Sequence, residues 1–506
     1  MIKEWESVIG LEVHLQLKTG TKVWCGCKSD YDESGINTHT CPICLGHPGA
    51  LPKLNKKVVD YAVKAALALN CQINNESGFD RKNYFYPDAP KNYQITQFEK
   101  SYAEKGYLEF KLNSGREVKI GITKVQIEED TAKAIHGKNE SYLNFNRASI
   151  PLIEIISEPD MRNSEEAYEY LNTLKNIIKY TKVSDVSMET GSLRCDANIS
   201  VMEKGSKIFG TRVEVKNLNS FKAVARAIDY EIGRQIELIQ NGGKVDQETR
   251  LWDEENQITR VMRSKEEAMD YRYFNEPDLL KLVISDEEIE EIKKDMPETR
   301  LAKIERFKTN YSLDEKDALI LTEEVELSDY FEEVVKYSNN AKLSSNWILT
   351  EVLRVLKHKN IDIEKFTISS ENLAKIIKLI DKSVKMGAKY FIMEVSSHAL
   401  QIGRVDMLRF DSAIFTNLTQ DHLDFHKTME NYFNAKKKIF TLLKSDGAGI
   451  INIDDKYGKM IFEENRGRNY ISFSKNDKSA DVYGEIINYT NDGMKIKINA
   501  KNKKLL

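Results

Sequence analysis

Residues 8–17, VIGLEVHLQL, alternate apolar and polar side chains with period two. Only a β-strand sends successive side chains to opposite faces, so this stretch reads as a strand with Glu12 and His14 on one face. A strand of that kind needs a sheet with one packed face and one wet face, which favours an antiparallel arrangement. The runs LEFKLN, EVKIGITKVQIEE and TRVEVKNLN repeat the pattern and extend the expectation to an antiparallel sheet in an α+β fold.

Helical periods break into this β-rich part at three places. NKKVVDYAVKAALALN (55–70) has helical spacing at Val59, Ala62 and Ala66. Asn163 with Glu166 three residues on makes a capping-box pattern ahead of a face through Leu171, Leu174 and Ile178. Ser220 opens a helix with Val224, Ile228, Ile232, Ile236 and Ile239 in register, and Gly242-Gly243 stops it. From about 296 to 382 the chain is almost wholly helical. After Lys382-Ser383, the runs GAKYFIMEVSSHAL, DSAIFTNLT and GAGIINID around the helical NYFNAKKKIFTLL have the rhythm of a parallel α/β sheet. The expected domains are therefore 1–295, 296–382 and 383–506.

The stretch WCGCKSDYDESGINTHTCPICLGHPG holds Cys25, Cys27, Cys41 and Cys44, four of the six cysteines. No apolar run reaches the ~20 residues of a membrane helix, and the N-terminus lacks the order of a signal peptide. A cytoplasmic chain is expected, and disulfides rarely persist there. C-x-C and C-x-x-C, separated by thirteen residues, can fold as two knuckles around one tetrahedral zinc. A redox pair and unliganded buried cysteines remain the other readings. The net charge of −4 argues against a globally basic nucleic-acid binder and leaves room for a local basic surface.

Polar residues are dense in the β-type runs. Beside Glu12 and His14 stand Glu128-Glu129-Asp130, then Arg147, Glu154 and Glu158 in NRASIPLIEIISEPDMR, and Glu189 and Arg194 in METGSLRCDANIS. Carboxylates with a histidine suit Mg²⁺, and arginines suit phosphoryl oxygens. The same pattern also describes a solvated sheet face. No G-x-x-x-x-G-K-[ST] occurs, so an ATP site here is not a P-loop.

In order along the chain, IGLEVHLQL, TCPICLGHPG, FDRKNYFYPDAPKNYQITQ, IEEDTAK, NRASIPLIEIISEPDMR, GSLRCDANIS, EVKNLNSF and MRSKEEAMDYRYFNEPDL resemble the B subunits of bacterial aspartyl/glutamyl-tRNA amidotransferases over about residues 1–380. The resemblance implies a cradle of the glutamine-synthetase type followed by a small helical domain. It implies use of ATP and Mg²⁺ to activate Glu or Asp on misacylated tRNA, and partnership with A and C subunits in a heterotrimer. It places the metal and phosphate motifs at Glu12, His14, Glu128 and Glu154, with Glu189 and Arg194 nearby and Arg147 and Glu158 in the ATP region. His14 and Glu128 are the expected Mg²⁺ ligands. Cys25, Cys27, Cys41 and Cys44 fall on a structural zinc motif. Ser149, Ala89, Asn92 and Asn275 depart from residues common in the family, and none removes a proposed ligand.

From about 383 the chain resembles instead the central domain of a Mur ligase, on EVSSH (394–398) and DHLDFH (421–426). That resemblance implies substrate contacts at Ser396 and Arg404, Mg²⁺ at Glu394 and His422, and a carbamylated lysine at Lys436. Ile402 stands where the substrate motif often has Gln. Without a phosphate cradle these residues have no nucleotide to serve, so the fragment is not expected to work as a ligase. It should also show an exposed apolar sheet edge. The junction reads as a recombinant or misassembled gene, in which a tRNA-gripping tail has been replaced.

Overall fold

The structure is a computed structural model describing residues 4–31, 35–137, 140–263, 271–406, 408–465, 467–490 and 493–501. Residues 264–270 of the MRSKEEAMDYRYFNEPDL motif lie outside the described residues. Two compact units divide the chain, Met1–Lys303 and Ile304–Leu506.

The first unit is built on a nine-stranded sheet. Its order is Ile258–Arg263, Thr249–Asp253, Val213–Leu218, Leu193–Glu203, Trp5–Gln16, Pro151–Ser157, Glu117–Glu129, Ala103–Lys111 and Gln72–Ile73. Every pairing is antiparallel except that of Val213–Leu218 with Thr249–Asp253, so the sheet is mixed rather than purely antiparallel. The alternation of VIGLEVHLQL is carried through: Leu11, Val13 and Leu15 are buried while Glu12, His14 and Gln16 are only half-buried.

Helices Lys56–Ala68, Ser164–Thr181 and Phe221–Gln240 share one hydrophobic cluster with the apolar face of this strand. Leu171, Leu174 and Ile178 are fully buried. The Asn163 side chain accepts from Glu166 N at 2.9 Å, but the Glu166 carboxylate turns to Arg162 N at 2.7 Å rather than closing a box on Asn163. In helix Phe221–Gln240 the expected face holds for Val224 and Ile228, then shifts. Glu231 and Gln235 are fully buried, while Ile232, Ile236 and Ile239 are only half-buried. A carboxylate tolerates that position because Arg234 binds it at 2.5 Å and Thr259 Oγ1 donates to it at 3.0 Å.

In the second unit, helices including Val325–Ser338 and Ser370–Lys385 enclose a core containing Phe307, Phe331, Val334, Val352 and Leu373. A separate, smaller cluster around Phe415, Tyr432, Ile451 and Ile461 lies against a five-stranded sheet. Phe410–Phe415, Leu443–Asn452, Tyr470–Ser474 and Val482–Thr490 run parallel, and Gly493–Ala500 returns antiparallel.

One expected strand does not form. Within GAKYFIMEVSSHAL, residues 388–396 carry neither strand nor helix, and a short helix begins at Ser397. Tyr390 is 86% and Ile392 89% exposed. Strand-type sequence gains nothing from extension unless its N–H and C=O groups find a ladder partner. Among the described residues Phe410–Phe415 pairs on one side only, so this sheet does have the expected open edge.

Leu174→Ala is expected to lower the stability of the first unit by roughly 2–5 kcal/mol, read from urea unfolding followed by tryptophan fluorescence. Ile392→Lys should change stability by less than about 0.5 kcal/mol while reducing self-association in light scattering.

Candidate functional site

The Trp5–Gln16 strand lies between Pro151–Ser157 and Leu193–Glu203, and its register sets the site. His14 stands opposite Glu154 on one side and Arg194 on the other, and Glu12 stands opposite Asp196. One strand further out, Gln126 stands opposite Glu154 and Glu128 opposite Leu152. Side chains directly across an antiparallel pair share a face, so these residues converge on the polar side of the sheet.

His14 Nε2 lies 3.6 Å from Glu128 Oε2 and 3.5 Å from Glu154 Oε1. Glu128 is 1% exposed and Glu154 7%. Thr96 Oγ1 donates to Glu128 Oε1 at 2.9 Å, and Gln126 Nε2 donates to Glu154 Oε2. Burial lowers the pKa of His14, partly opposed by Glu128 and Asp196, and favours a neutral imidazole. Burial raises Glu128, and the nearby Glu154 charge adds to the rise. Glu154 is raised by burial and by Glu12, against the pull of Lys82 and Lys124. Two buried carboxylates and a neutral imidazole, with one donor atom each inside 4.8 Å, make a hard donor set suited to a divalent cation such as Mg²⁺.

Fixed cations border this group. Burial works against the Lys82 ammonium, but Glu128 and other anionic neighbours outweigh it and raise its pKa. Lys124 is lowered by burial, with Glu154 and Glu128 opposing. Arg194 donates to Asp130 Oδ2, which also accepts from Gln16 Nε2 at 2.9 Å and lies 3.6 Å from Arg147 Nε. A second acidic group, Glu12, Asp196 and Glu214, spans three neighbouring strands, with Glu12 two residues from His14 on its own strand. Asn198 donates to Glu12 at 2.9 Å, and Lys216 binds both Asp196 and Glu214.

The remaining expected residues stand further off. Arg147 spends its guanidinium on the Thr131 and Ala132 carbonyls at 2.9 and 2.8 Å. Glu158 is four residues beyond Glu154, about 13 Å along an extended chain, where Thr123 donates to it at 2.9 Å. Glu189 is exposed on a turn before the Leu193–Glu203 strand. Thr96, Gln126, Lys82, Lys124, Asp196 and Glu214 were not singled out from sequence. Gln126 and Asp196 had a usable signal, since each lies two residues from an expected site residue on its own strand and so shares its face.

The four cysteines also converge. One sulfur from each of Cys25, Cys27, Cys41 and Cys44 lies within 4.8 Å of the others, and none forms a disulfide. Cys44 is lowered to about 5, first by a hydrogen bond from Cys25, and also by the Cys41 N–H at 3.1 Å and the Lys22 ammonium. Cys27 is raised to about 11, chiefly by burial, and Cys25 is raised by its hydrogen bond to Cys44 and by burial. Four thiols in this arrangement match the donor set of a closed, structural zinc site.

In the second unit the expected ligase residues do not gather. Glu394 and Arg404 are exposed, and Ser396 caps the Ser397–Gln401 helix by accepting from Ala399 N at 3.2 Å. His422 packs edge-on against His398 with ring centres 4.8 Å apart, and the Lys436 ammonium lies 5.5 Å from the Tyr432 ring centre. Among the described residues, Glu394 and His422 share no group able to hold an ion.

Residues 7–290 match the GatB/GatE catalytic domain family, and residues 335–505 match the Mur ligase middle domain family. The chain is 97% identical over 383 residues to the B subunit of the aspartyl/glutamyl-tRNA(Asn/Gln) amidotransferase of Fusobacterium nucleatum, covering 76% of this chain and 80% of that protein. It is 54% identical over 380 residues to the protein of the same name from Clostridium novyi, covering 75% of this chain and 80% of that one. A solved UDP-N-acetylmuramoyl-L-alanyl-D-glutamate–2,6-diaminopimelate ligase aligns with 26% of this chain and 27% of its own at 27% identity. Its TM-score of 0.23 is too low to compare the folds.

The raised carboxylates dictate a pH dependence. The folded, metal-free chain prefers protonated Glu128 and the unfolded chain does not. Stability from this group is therefore present at acid pH and lost as pH rises through the raised pKa. Glu128→Gln should raise the melting temperature of the metal-free chain at pH 8 and flatten its pH dependence. Mg²⁺ at about 100 times its Kd should stabilise only the unsubstituted chain, by about 2.7 kcal/mol, as read by thermal scanning with and without the ion.

Proposed function

The chain belongs to the family of aspartyl/glutamyl-tRNA(Asn/Gln) amidotransferase B subunits, and from that premise we propose that the polar face of its nine-stranded sheet is the phosphorylation and amidation site. The observation that carries this reading is the convergence of His14, Glu128 and Glu154 at 3.5–3.6 Å on a face bordered by Lys82, Lys124 and Arg194.

The substrate is the side-chain carboxylate of Glu or Asp carried on tRNA(Gln) or tRNA(Asn). A carboxylate cannot be amidated directly, because oxide is too poor a leaving group. Transfer of the ATP γ-phosphoryl group to a carboxylate oxygen gives an acyl phosphate and ADP. Ammonia, supplied by an A subunit from glutamine, then attacks the carbonyl carbon. Phosphate leaves with the C–O bonding pair, and the nitrogen sheds a proton to give the amide.

His14, Glu128 and Glu154 would hold Mg²⁺, which when bound neutralises charge on the phosphoryl oxygens. Thr96 and Gln126 orient the two carboxylates before any ligand arrives. Lys82, Lys124 and Arg194 supply fixed positive charge where the phosphoryl group is anionic. The apolar back of the sheet, packed by helices, keeps these donors in place. Cys25, Cys27, Cys41 and Cys44 would hold a structural Zn²⁺ beside this cradle.

The three-part division at 295 and 382 is our reading of the chain's functional organisation, with a helical domain after the cradle. The setting is a cytoplasmic heterotrimer with A and C subunits. Among the described residues no helix is long and apolar enough to cross a membrane. We assign no ligase reaction to the residues that match the Mur family. They lack a gathered Glu394–His422 pair, and the sequence has no P-loop. The match to the Fusobacterium nucleatum protein spans 80% of that relative, and residues 335–505 match another family; on this reading the segment after the helical domain stands in place of a tRNA-gripping tail.

The reading is tested by ATP hydrolysis with the chain co-expressed with A and C subunits. Glu-tRNA(Gln) should stimulate hydrolysis, and His14→Ala should cost roughly 100-fold or more. No stimulation, beside an active control carrying the relative's own C-terminal region, would refute it. Filter binding should show tRNA affinity about tenfold or more below that control.

A further inference from the structure

Lys22 is fully buried, with none of its surface exposed. Its ammonium donates to the His39 carbonyl at 2.9 Å and to the Phe145 carbonyl at 3.3 Å, and its third close partner is Cys44 Sγ at 3.8 Å. Among the described residues no carboxylate lies within ion-pair distance of it. A buried ammonium is costly unless an anion compensates it, and two neutral carbonyls do not. The anion on hand is sulfur. Four thiolates around a divalent ion carry a net charge of −2, which would itself be costly half-buried without a counter-cation. Each charge supplies what the other lacks.

We propose that Lys22 is the built-in counter-cation of the four-cysteine centre, holding its ammonium against the Cys44 thiolate and tying the loaded centre to the segment that leads into the catalytic sheet. This rests on the zinc reading of the cysteines. The tie runs through Phe145, whose carbonyl Lys22 holds, and through the adjoining backbone, where Val23 N donates to Ser149 O at 3.0 Å. Ser149 Oγ in turn donates to Glu129 Oε2 at 2.7 Å, at the end of the strand that carries Glu128. Asn146 closes the same seam, accepting from His39 N at 2.7 Å and donating to Gly35 O at 2.8 Å. Lys22 is a positioning residue: it touches neither nucleotide nor tRNA. Its effect reaches the active face through the metal centre's thiolates and the Phe145–Ser149 backbone.

The inference predicts a metal-affinity effect from a residue that is not a ligand. Lys22→Met keeps most of the side-chain volume and removes the charge. In the full chain it should weaken Zn²⁺ binding about 10–100-fold, the range for partners that support a metal ligand, in competition with a chromophoric chelator. With Co²⁺ in place of Zn²⁺, the thiolate-to-metal charge-transfer band should move to lower energy, because Cys44 loses a hydrogen bond that withdraws electron density. Equal Zn²⁺ affinity and an unmoved Co²⁺ band would overturn the role of Lys22 while leaving the zinc reading intact. Failure of the unsubstituted chain to bind either ion would overturn both.

Should the variant not fold, the unsubstituted chain gives the second test. Amide hydrogen exchange read by peptide mass spectrometry should find the Phe145–Ser149 segment, whose Phe145 carbonyl Lys22 holds, protected in the zinc-loaded protein and exchanging at least about tenfold faster after chelation. Equal exchange in both states would overturn the inference.

Discussion

The pairing register of one strand governs the first unit. Trp5–Gln16 lies in the middle of the nine-stranded sheet, with a ladder on each side. Its even-numbered residues from Glu12 to Gln16 face the polar side, and Leu11, Val13 and Leu15 face the shared hydrophobic cluster. A slip of one residue would drive Glu12 and His14 into that cluster and lift three buried apolar side chains onto the polar face. Hydrophobic burial on the back therefore enforces the geometry on the front. The distances of 3.5 and 3.6 Å from His14 to Glu154 and Glu128 follow from a register fixed by packing of the opposite face into the shared hydrophobic cluster.

That arrangement carries tension. Two carboxylates raised by burial and crowding sit with an imidazole lowered by burial. Thr96 and Gln126 meet part of the hydrogen-bonding demand, and Lys82 and Lys124 part of the charge. A site that fully neutralised itself would have no use for a divalent ion or a phosphoryl group. Perturbed ionisable groups with specific charge partners, gathered on one sheet face, are the pattern on which the proposed site rests. The cysteine centre shows the contrasting design: four sulfurs close on one another, leaving no position for a substrate.

Local pattern made much of this legible. Period-two alternation placed Glu12 and His14 on one face, and cap residues marked the starts of helices Ser164–Thr181 and Phe221–Gln240. What local pattern could not supply was who stands opposite whom. Gln126 and Glu214 matter because of cross-strand register, and Thr96 and Lys82, on strands of a separate sheet, because of long-range approach, neither of which shows in a short window. Glu231 and Gln235 displaced the expected isoleucine face because Arg234 and Thr259 satisfy Glu231 from other positions. Residues 388–396 have strand-type composition and no ladder, so their sequence predicted a strand that the surrounding chain does not support. Glu189, grouped with the site through resemblance, lies exposed on a turn.

The central claim is that the polar face holds a divalent ion through His14 and the two carboxylates. Electron spin-echo modulation of the full chain loaded with Mn²⁺ tests it most directly, because a coordinated imidazole nitrogen modulates the manganese echo. The account predicts ¹⁴N modulation that persists with ATP present and disappears in His14→Gln, while that variant keeps its fold. Bound Mn²⁺ without nitrogen coupling, or coupling unchanged in His14→Gln, would contradict it.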